Sequence, residues 1–304
     1  MPATFRLGTR GSPLALAQAA LVRDAIVAAH GLDVAVVPIM TEGDRVQDRP
    51  LAEIGGKALW TRSLDRALGE GRTDASVHSM KDVETLRPPE LALAAMLPRA
   101  DVRDRLIGAA SVADLPRAAR VGTSSPRRTA QLLSMRPDLT IVPLRGNVAT
   151  RLARLAQGEV DATLLAAAGL DRLGCPEVGT AIAPATMLPA VAQGAIGVEV
   201  RRDDARALAL LGALDDAPTR TCVTAERLLL AALGGSCHSP VGVLAVVEHD
   251  CVWLRAEILT EDGAERRSGE ARFARGDDEA PVRLAYALVE KASARLAALF
   301  ACGS

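Results

Sequence analysis

The sequence predicts an α/β protein with two related lobes and a small C-terminal α+β domain. Through about the first 200 residues, short apolar runs alternate with amphipathic stretches, as in βα units around a mostly parallel sheet. Two parts of this region also share a strand-to-helix turn sequence. After Pro218 the pattern changes to successive strands followed by a helix, which is typical of an antiparallel sheet.

The first lobe is predicted to begin with a strand over residues 4–8 and a helix through about Ala29. Ser12 is a favoured residue type at a helix N-cap, and Pro13 is favoured at the first helical position. Further runs predict strands at 34–39, 74–78 and 91–96 and a helix at 57–68.

In the second lobe, Ser125 and Pro126 are predicted to open a helix that runs to about Met135. The remaining pattern predicts strands at 120–122, 140–143 and 162–165 and a helix at 147–157. A strand at 193–200 is predicted to return to the first lobe, so that the chain crosses between the lobes twice.

The shared turn indicates a duplicated architecture. The first copy reads Gly8-Thr9-Arg10-Gly11-Ser12-Pro13, and the second reads Gly122-Thr123-Ser124-Ser125-Pro126. A glutamine follows each proline by five residues, at Gln18 and Gln131. Because open α/β sheets bind ligands at strand-to-helix turns, we expect a ligand cleft between the lobes.

The C-terminal region is predicted to hold a helix at 219–233, strands at 241–248, 251–259 and 269–274, and a helix at 280–299. We therefore expect three domains, with boundaries at 1–97 together with 197–216, at 98–196 and at 217–304.

Composition argues against several classes of function. The 36 basic and 37 acidic residues give a net charge of −1, and only six residues are aromatic, so no nucleic-acid surface is expected. No apolar stretch is long enough for a signal peptide or a membrane span, which predicts a cytoplasmic protein. The five Cys and four His show no metal-ligand spacing, so neither a metal nor a disulfide framework is expected.

Arginine dominates the basic residues, since only three of the 36 are lysine. Arg10 lies in the first turn, and Arg127 and Arg128 lie at a predicted helix start, where the helix dipole disfavours cations. This placement predicts a bound carboxylate or phosphate on a small molecule. The two lobes contain no GxGxxG or GxxxxGK[ST] motif, so a nucleotide is not expected.

Asp82 and Cys237 are two further candidates. Asp82 follows Lys81 at the end of a predicted strand, where a carboxylate among cations either stabilises a developing positive charge or simply completes a turn. Cys237 lies in a Gly-rich loop and could serve as a nucleophile or an attachment point. The residues alone leave open a ligand-binding protein without chemistry and a cysteine acyltransferase.

Eight ordered segments of the chain resemble the porphobilinogen deaminase (hydroxymethylbilane synthase) family. They are TRGSPLALAQ (9–18), GGKALW (55–60), HSMKD (78–82), VGTSSPRR (121–128), LRGNVATRL (144–152), AAAGLDRLG (166–174), LPAVAQGAIGVE (188–199) and TAERLLLAALGGSCHSPVG (224–242).

The resemblance implies two lobes like those of periplasmic binding proteins and a C-terminal domain that carries a cysteine. It implies a transferase of porphyrin and haem biosynthesis that adds four porphobilinogen units, with loss of ammonia, to a dipyrromethane cofactor. That cofactor would be held by a thioether to Cys237, and water would release hydroxymethylbilane. A monomer is expected.

The same resemblance implies that Asp82 is the catalytic carboxylate, hydrogen-bonded to a pyrrole N–H. The residues implied to bind cofactor or substrate are Arg10, Ser12, Lys57, Lys81, Thr123, Ser124, Ser125, Arg127, Arg128, Arg145, Gly146, Arg151, Arg172 and Gln193. The chain departs from the family pattern at Glu53, Trp60 and Glu84, and Glu84 is expected to add a negative charge near the site.

Overall fold

The structure is a computed structural model that describes residues 4–40 and 61–300. The chain divides into two compact units. The first unit contains Met1–Ala100 and Gly194–Arg220, and the second contains Asp101–Gln193 and Thr221–Ser304.

The strands of the described residues, in chain order, are β1 (Phe5–Arg10), β2 (Val34–Ile39), β3 (Ala75–Ser79), β4 (Leu91–Met96), β5 (Asp104–Ile107), β6 (Arg120–Gly122), β7 (Thr140–Val142), β8 (Ala162–Ala166), β9 (Thr180–Ala181), β10 (Ile196–Arg201), β11 (Val241–Glu248), β12 (Cys251–Leu259) and β13 (Arg266–Ala274).

The α-helices of the same residues are α1 (Pro13–His30), α2 (Arg62–Gly69), α3 (Pro126–Met135), α4 (Val148–Ala156), α5 (Ala167–Arg172), α6 (Ala205–Gly212), α7 (Ala217–Ala232), α8 (Glu279–Glu290) and α9 (Ala294–Ala297). A short 3₁₀ turn at Met80–Asp82 follows β3. No described helix has both the length and the apolar character that a membrane crossing requires.

Each unit contains a five-stranded mixed sheet, and the two sheets follow one plan. The first has the order β2-β1-β3-β10-β4, with β1, β2 and β3 parallel and β10 antiparallel to both of its neighbours. The second has the order β7-β6-β8-β5-β9, with β6, β7 and β8 parallel and β5 antiparallel to both of its neighbours. This confirms the predicted two-lobed α/β architecture, although the sheets are mixed rather than mostly parallel.

The core of the first sheet is apolar on the face that α1 covers. Leu7, Val77 and Val198 come from neighbouring strands and pack with Val22 and Ile26 of α1. All five side chains are buried. Their burial holds the parallel strands β1 and β3 together, so that the carboxyl ends of both strands meet at one edge of the sheet.

The second unit also contains the C-terminal antiparallel sheet β11-β12-β13, as the sequence predicts. Helix α8 packs against this sheet at Gly269, where an added Cβ would lie 3.0 Å from Leu284 Cδ1. The three domain boundaries expected from the sequence stay a prediction.

Several predicted elements differ from the observed ones. The predicted helix 280–299 is wrong as a single helix, because Ser293 interrupts it and caps α9 by accepting a hydrogen bond from Leu296 N. The predicted strand 193–200 begins only at Ile196, since Gln193 belongs to a turn closed by its N–H donating to Ala190 O. Strands β5 and β9 and helices α5 and α6 were not predicted from the sequence. Residues 57–60 of the predicted helix 57–68 lie outside the described residues.

Candidate functional site

A pocket that is lined by both apolar and charged side chains lies at the carboxyl ends of β1 and β3 in the first unit. Among its lining residues are Arg10, Ser12, Gln18, His78, Lys81 and Asp82. The structure therefore brings together four of the residues predicted for the site, namely Arg10, Ser12, Lys81 and Asp82. Gln18 and His78 join them, although the sequence analysis did not assign them a role.

The local sequence explains how these side chains reach the pocket. Ser12 caps α1 by accepting a hydrogen bond from Ala15 N at 3.3 Å, and Pro13 follows at the first helical position. Gln18 Nε2 donates to Ser79 Oγ at 3.2 Å, which connects the second turn of the helix to the end of β3. The 3₁₀ turn after β3 then presents Lys81 and Asp82 at the same edge.

A buried charged cluster lies behind the His78 wall of the pocket. Arg87 donates two hydrogen bonds to Glu199, from Nε at 2.9 Å and from Nη2 at 2.7 Å. Glu199 Oε2 also lies 3.1 Å from His78 Nε2, and both side chains are almost fully buried. Burial raises the pKa of Glu199, but the hydrogen bonds and charges of His78 and Arg87 outweigh it and lower that pKa to about 2.

The structure shows how the charge of Glu84 is balanced. Arg87 Nη1 donates to Glu84 Oε2 at 2.8 Å, and Thr61 Oγ1 lies within hydrogen-bond distance of both carboxylate oxygens. Glu84 is not among the residues that line the pocket. The negative charge expected near the site is therefore paired with an arginine three residues later, which also pairs with Asp65 and Glu199.

The second unit repeats the same turn with different side chains around it. Ser125 accepts a hydrogen bond from Arg128 N at 3.5 Å and caps α3, which begins with Pro126. Thr123 Oγ1 accepts from Ser125 N at 3.1 Å, and Ser124 Oγ donates to Leu144 O at 3.2 Å. Three of the residues predicted for binding thus shape the turn itself.

Arg127 and Arg128 are buried and share one carboxylate. Arg127 is 3% exposed and Arg128 is 6% exposed. Arg127 Nη2 donates to Asp104 Oδ2 at 2.8 Å, and Arg128 Nη2 donates to Asp104 Oδ1 at 2.6 Å. Burial raises the pKa of Asp104, but the two guanidinium groups lower it further, to well below its ordinary range.

The anion that accompanies the two arginines in the structure is therefore Asp104, a residue of the chain itself. The sequence predicts an anion at this helix start, carried on a small molecule. Gln193 also contacts Asp104, with Nε2 donating to Oδ1 at 3.0 Å. The Nε atoms of Arg127 and Arg128 are buried and have no hydrogen-bond partner within the described part of the chain. A ligand role for these residues stays a prediction.

The other predicted binding residues of the second unit lie on α4, α5 and the turn before α4. Arg151 Nε donates to Gly146 O at 3.0 Å. Gly146 has a φ of 103°, and an added Cβ would lie 2.7 Å from Thr150 Cγ2, so this turn requires glycine. Burial lowers the pKa of Arg172. Arg145 is half-buried, and Lys57 lies outside the described residues.

Cys237 is exposed in the turn between α7 and β11. The turn is closed by Ser239 N donating to Ser236 O and by Ser236 N donating to Ser239 Oγ, both at 3.0 Å. At Gly235 an added Cβ would lie 2.5 Å from Leu230 Cδ1, so the Leu230 side chain would have to move. Within residues 4–40 and 61–300, no group of three or more His, Cys, Asp or Glu side chains could hold a metal ion.

Comparison with known proteins identifies the family. The family profile "Porphobilinogen deaminase, dipyromethane cofactor binding domain" matches residues 5–209, and "Porphobilinogen deaminase, C-terminal domain" matches residues 220–296. The chain belongs to the porphobilinogen deaminase family. This confirms the family that the sequence motifs predict.

Curated relatives of the porphobilinogen deaminase family agree over most of the chain. The porphobilinogen deaminase of Sphingopyxis alaskensis is 58% identical over 274 residues, covering 87% of each chain. That of Paracoccus denitrificans is 53% identical over 267 residues, covering 86% of this chain and 85% of the relative. That of a Roseiflexus species is 49% identical over 295 residues, covering 96% of each.

Solved structures with a similar fold include periplasmic substrate-binding proteins. One from Coxiella burnetii is 17% identical, with a TM-score of 0.43 over 71% of this chain and 94% of that chain. A substrate-binding domain of an amino-acid ABC transporter from Streptococcus pneumoniae is 13% identical, with a TM-score of 0.43 over 76% of this chain and 95% of that chain. At this level the similarity adds no argument about function.

Proposed function

We propose that this chain condenses four porphobilinogen molecules head to tail, with loss of ammonia, onto a dipyrromethane primer attached to Cys237, and then releases hydroxymethylbilane by hydrolysis. The observation that carries the proposal is the pocket of the first unit, where Asp82 lies with Arg10 and Lys81 in a chain of this family. We further propose that the enzyme acts as a monomer in the cytoplasm.

The residues present fit a dipyrromethane group. Such a group needs a thiol for its thioether, cations for its acetate and propionate groups, and an acceptor for its pyrrole N–H groups. Cys237 is exposed in a glycine-containing turn, Arg10 and Lys81 supply cations, and Asp82 supplies a carboxylate. When bound, the group supplies the pyrrole carbon that attacks the incoming substrate.

The buried arginines of the second unit support the same proposal. Protein groups that donate hydrogen bonds are seldom buried without an acceptor, and an unsatisfied one calls for an explanation such as a bound ligand. The Nε–H groups of Arg127 and Arg128 are two such donors. A ligand carboxylate would satisfy them and would find a binding site whose guanidinium groups are already fixed by Asp104.

Asp82 is proposed as the catalytic residue. An ionised carboxylate only accepts hydrogen bonds, so it orients a pyrrole N–H toward itself. Departure of ammonia leaves a positive charge on the substrate pyrrole, and a fixed carboxylate beside it stabilises the transition state more than the ground state. Arg10 and Lys81 would hold the substrate carboxylates so that the reacting carbon remains near Asp82.

Intact-mass measurement of the natively purified chain tests the proposal. We expect the wild-type chain to carry the added mass of a dipyrrole. The Cys237→Ser variant should carry no added mass and should show no turnover. Cys251→Ser is the matched control, because Cys251 is also exposed and is the first residue of β12 in the C-terminal sheet. An active wild-type chain with an unmodified Cys237 would overturn the proposal. Binding of porphobilinogen without release of ammonia would indicate a solute-binding protein instead.

A further inference from the structure

A buried polar network links the C-terminal sheet to the arginine pair of the second unit. Glu257 on β12 is 0% exposed. It accepts a hydrogen bond from Gln131 Nε2 of α3 and forms an ion pair with Arg266 of β13. Gln131 is itself 2% exposed, so the contact between sheet and helix lies fully inside the protein.

Gln131 extends this network to Arg127. Arg127 Nη1 donates to Gln131 Oε1 at 2.8 Å, and both side chains donate to Leu188 O at 2.9 Å. At its other end, Arg127 is bonded to Asp104, which also holds Arg128. A continuous run of hydrogen bonds therefore leads from Glu257 to both arginines.

The chemistry of the partners allows only one orientation of the Gln131 amide. A carboxylate only accepts hydrogen bonds, whereas a guanidinium only donates them. The amide NH₂ must therefore face Glu257, and the amide oxygen must face Arg127. Without the Glu257 carboxylate, the amide NH₂ would keep only its hydrogen bond to Leu188 O.

Charge balance gives Glu257 a second effect on Arg127. The charged groups of the network are Arg127, Arg128 and Arg266 against Asp104 and Glu257. Burial lowers the pKa of Arg127, and the negative charges of Asp104 and Glu257 oppose this shift. Loss of Glu257 would leave the two buried guanidinium groups, those of Arg127 and Arg128, with Asp104 as the only carboxylate of the network, which is an unfavourable arrangement for buried charges.

The turn that carries Cys237 is connected to the same place. Strand β11 follows this turn and pairs with β12, with Gly242 opposite Glu257. A Cβ at Gly242 would lie 2.9 Å from Gln131 Nε2 and 3.0 Å from Glu257 Oε1, so glycine leaves room for the contact. Gly242, which lies against this contact, is five residues after Cys237 along the chain.

We propose that Glu257 is a positioning residue for the arginine pair: acting through Gln131, it sets the orientation in which Arg127 and Arg128 receive the carboxylates of cofactor and substrate. This inference rests on the proposed function. It means that the C-terminal sheet, whose first strand follows the attachment cysteine, also positions the arginines that the growing chain needs.

Steady-state kinetics and intact mass test the role of Glu257. For Glu257→Leu we expect a KM for porphobilinogen about tenfold higher, a kcat changed less than about threefold, and a smaller fraction of chains carrying the added mass on Cys237. Glu257→Gln retains an acceptor oxygen and should show a smaller rise in KM. Glu248→Gln is the matched control, since Glu248 forms an exposed pair with Arg272 on the same sheet.

A double mutant shows whether Glu257 acts through Gln131. In a Gln131→Leu background, Glu257→Leu should raise KM much less than it does in the wild-type background, because the hydrogen-bonded connection is already broken and only the effect of the charge on Arg127 remains. Additive effects on KM would overturn the inference, as would a Glu257→Leu chain with a lowered melting temperature but wild-type KM and loading. Failure of the proposed function is distinguishable, because the wild-type chain itself would then lack both the added mass and turnover.

Discussion

The two strand-to-helix turns share a backbone design but differ in the side chains placed around it. In both units a serine caps the helix, a proline follows it, and a buried glutamine lies five residues after the proline. In the first unit the turn borders a pocket with half-exposed polar groups. In the second unit the charged groups at the helix start are buried.

Three equivalent positions account for the difference. Leu14 and Ala15 follow the proline of the first turn, as Arg127 and Arg128 follow the proline of the second. Ile196 pairs with the last residue of β3, as Asp104 pairs with the last residue of β8. The three positions are apolar in the first unit and ionic in the second. Because buried ion pairs add little net stability compared with apolar packing, the ionic trio is better explained by binding than by folding.

Replacing the ionic trio with the apolar trio of the first unit should give the largest effect: it should abolish binding while changing the free energy of unfolding little. In the triple variant Asp104→Ile, Arg127→Leu, Arg128→Ala, we expect a free energy of unfolding within about 2 kcal/mol of wild type. We also expect loss of the added mass on Cys237 and loss of turnover. Urea unfolding and intact mass measure the two effects.

Asp104→Asn is the control for the triple variant, since it leaves both arginines buried without their carboxylate. It should destabilise the protein by about 3–5 kcal/mol, more than the triple variant does. If the triple variant is as unstable as Asp104→Asn, the ionic trio is a folding feature and the comparison fails.

Asp82→Asn should reduce kcat by about 10²- to 10³-fold, because the amide cannot stabilise positive charge on the substrate. Loading of porphobilinogen should persist, as the cations of the pocket are unchanged. Glu84→Gln is the matched control two residues away, outside the pocket lining, and should keep kcat within about threefold. Near-wild-type turnover of Asp82→Asn would remove this carboxylate from the mechanism.

Glu199 shows that the first unit has buried ion pairs of its own, at a different position. Its pKa of about 2, against an ordinary 4.5, stabilises the folded state at neutral pH, and this contribution is lost as the pH falls from about 4.5 to about 2. Glu199→Gln should therefore be less stable than wild type by about 3 kcal/mol at pH 7. Urea unfolding at several pH values should show the difference shrinking in acid. A difference that does not depend on pH would contradict this account.

Removal of either serine cap should give the smallest loss of stability, and the two losses should be similar. Ser12→Ala and Ser125→Ala each remove one acceptor of a helix N–H, so each should destabilise the protein by about 1 kcal/mol. Thermal unfolding of the two variants measures this. A large difference between them would show that the shared turns are not energetically equivalent.

The local elements could be predicted from the sequence because their causes are local. The Ser-Pro helix starts, the strands β2 and β4 and the hairpin β11–β12 follow from capping residues and apolar runs, and all are confirmed. The break before α9 was not predicted, although Ser293 caps that helix locally; a distant contact, Ser293 N donating to Glu265 Oε1 at 3.0 Å, adds to this cap and leaves no signal in the local sequence.

The candidate site was only partly predictable for the same reason. The Ser-Pro turn and HSMKD indicate Arg10, Lys81 and Asp82, and the structure places these three around one pocket. The partner of Arg127 and Arg128 could not be identified, because Asp104 precedes them by more than twenty residues and comes from an antiparallel strand. The contact between Gln131 and Glu257 spans 126 residues and leaves no local signal.

The position of β10 has a consequence for how the protein is made. This strand lies inside the sheet that forms the pocket, between β3 and β4, yet it begins 100 residues after β4 ends. A ribosome adds about 5–20 residues per second, so β10 is synthesised on the order of 5–20 s after β4, and the sheet that borders the pocket lacks an inner strand during that time. All five strands of the second sheet, β5 to β9, are synthesised within that interval. Of the two five-stranded sheets, the one whose synthesis begins first is therefore completed last.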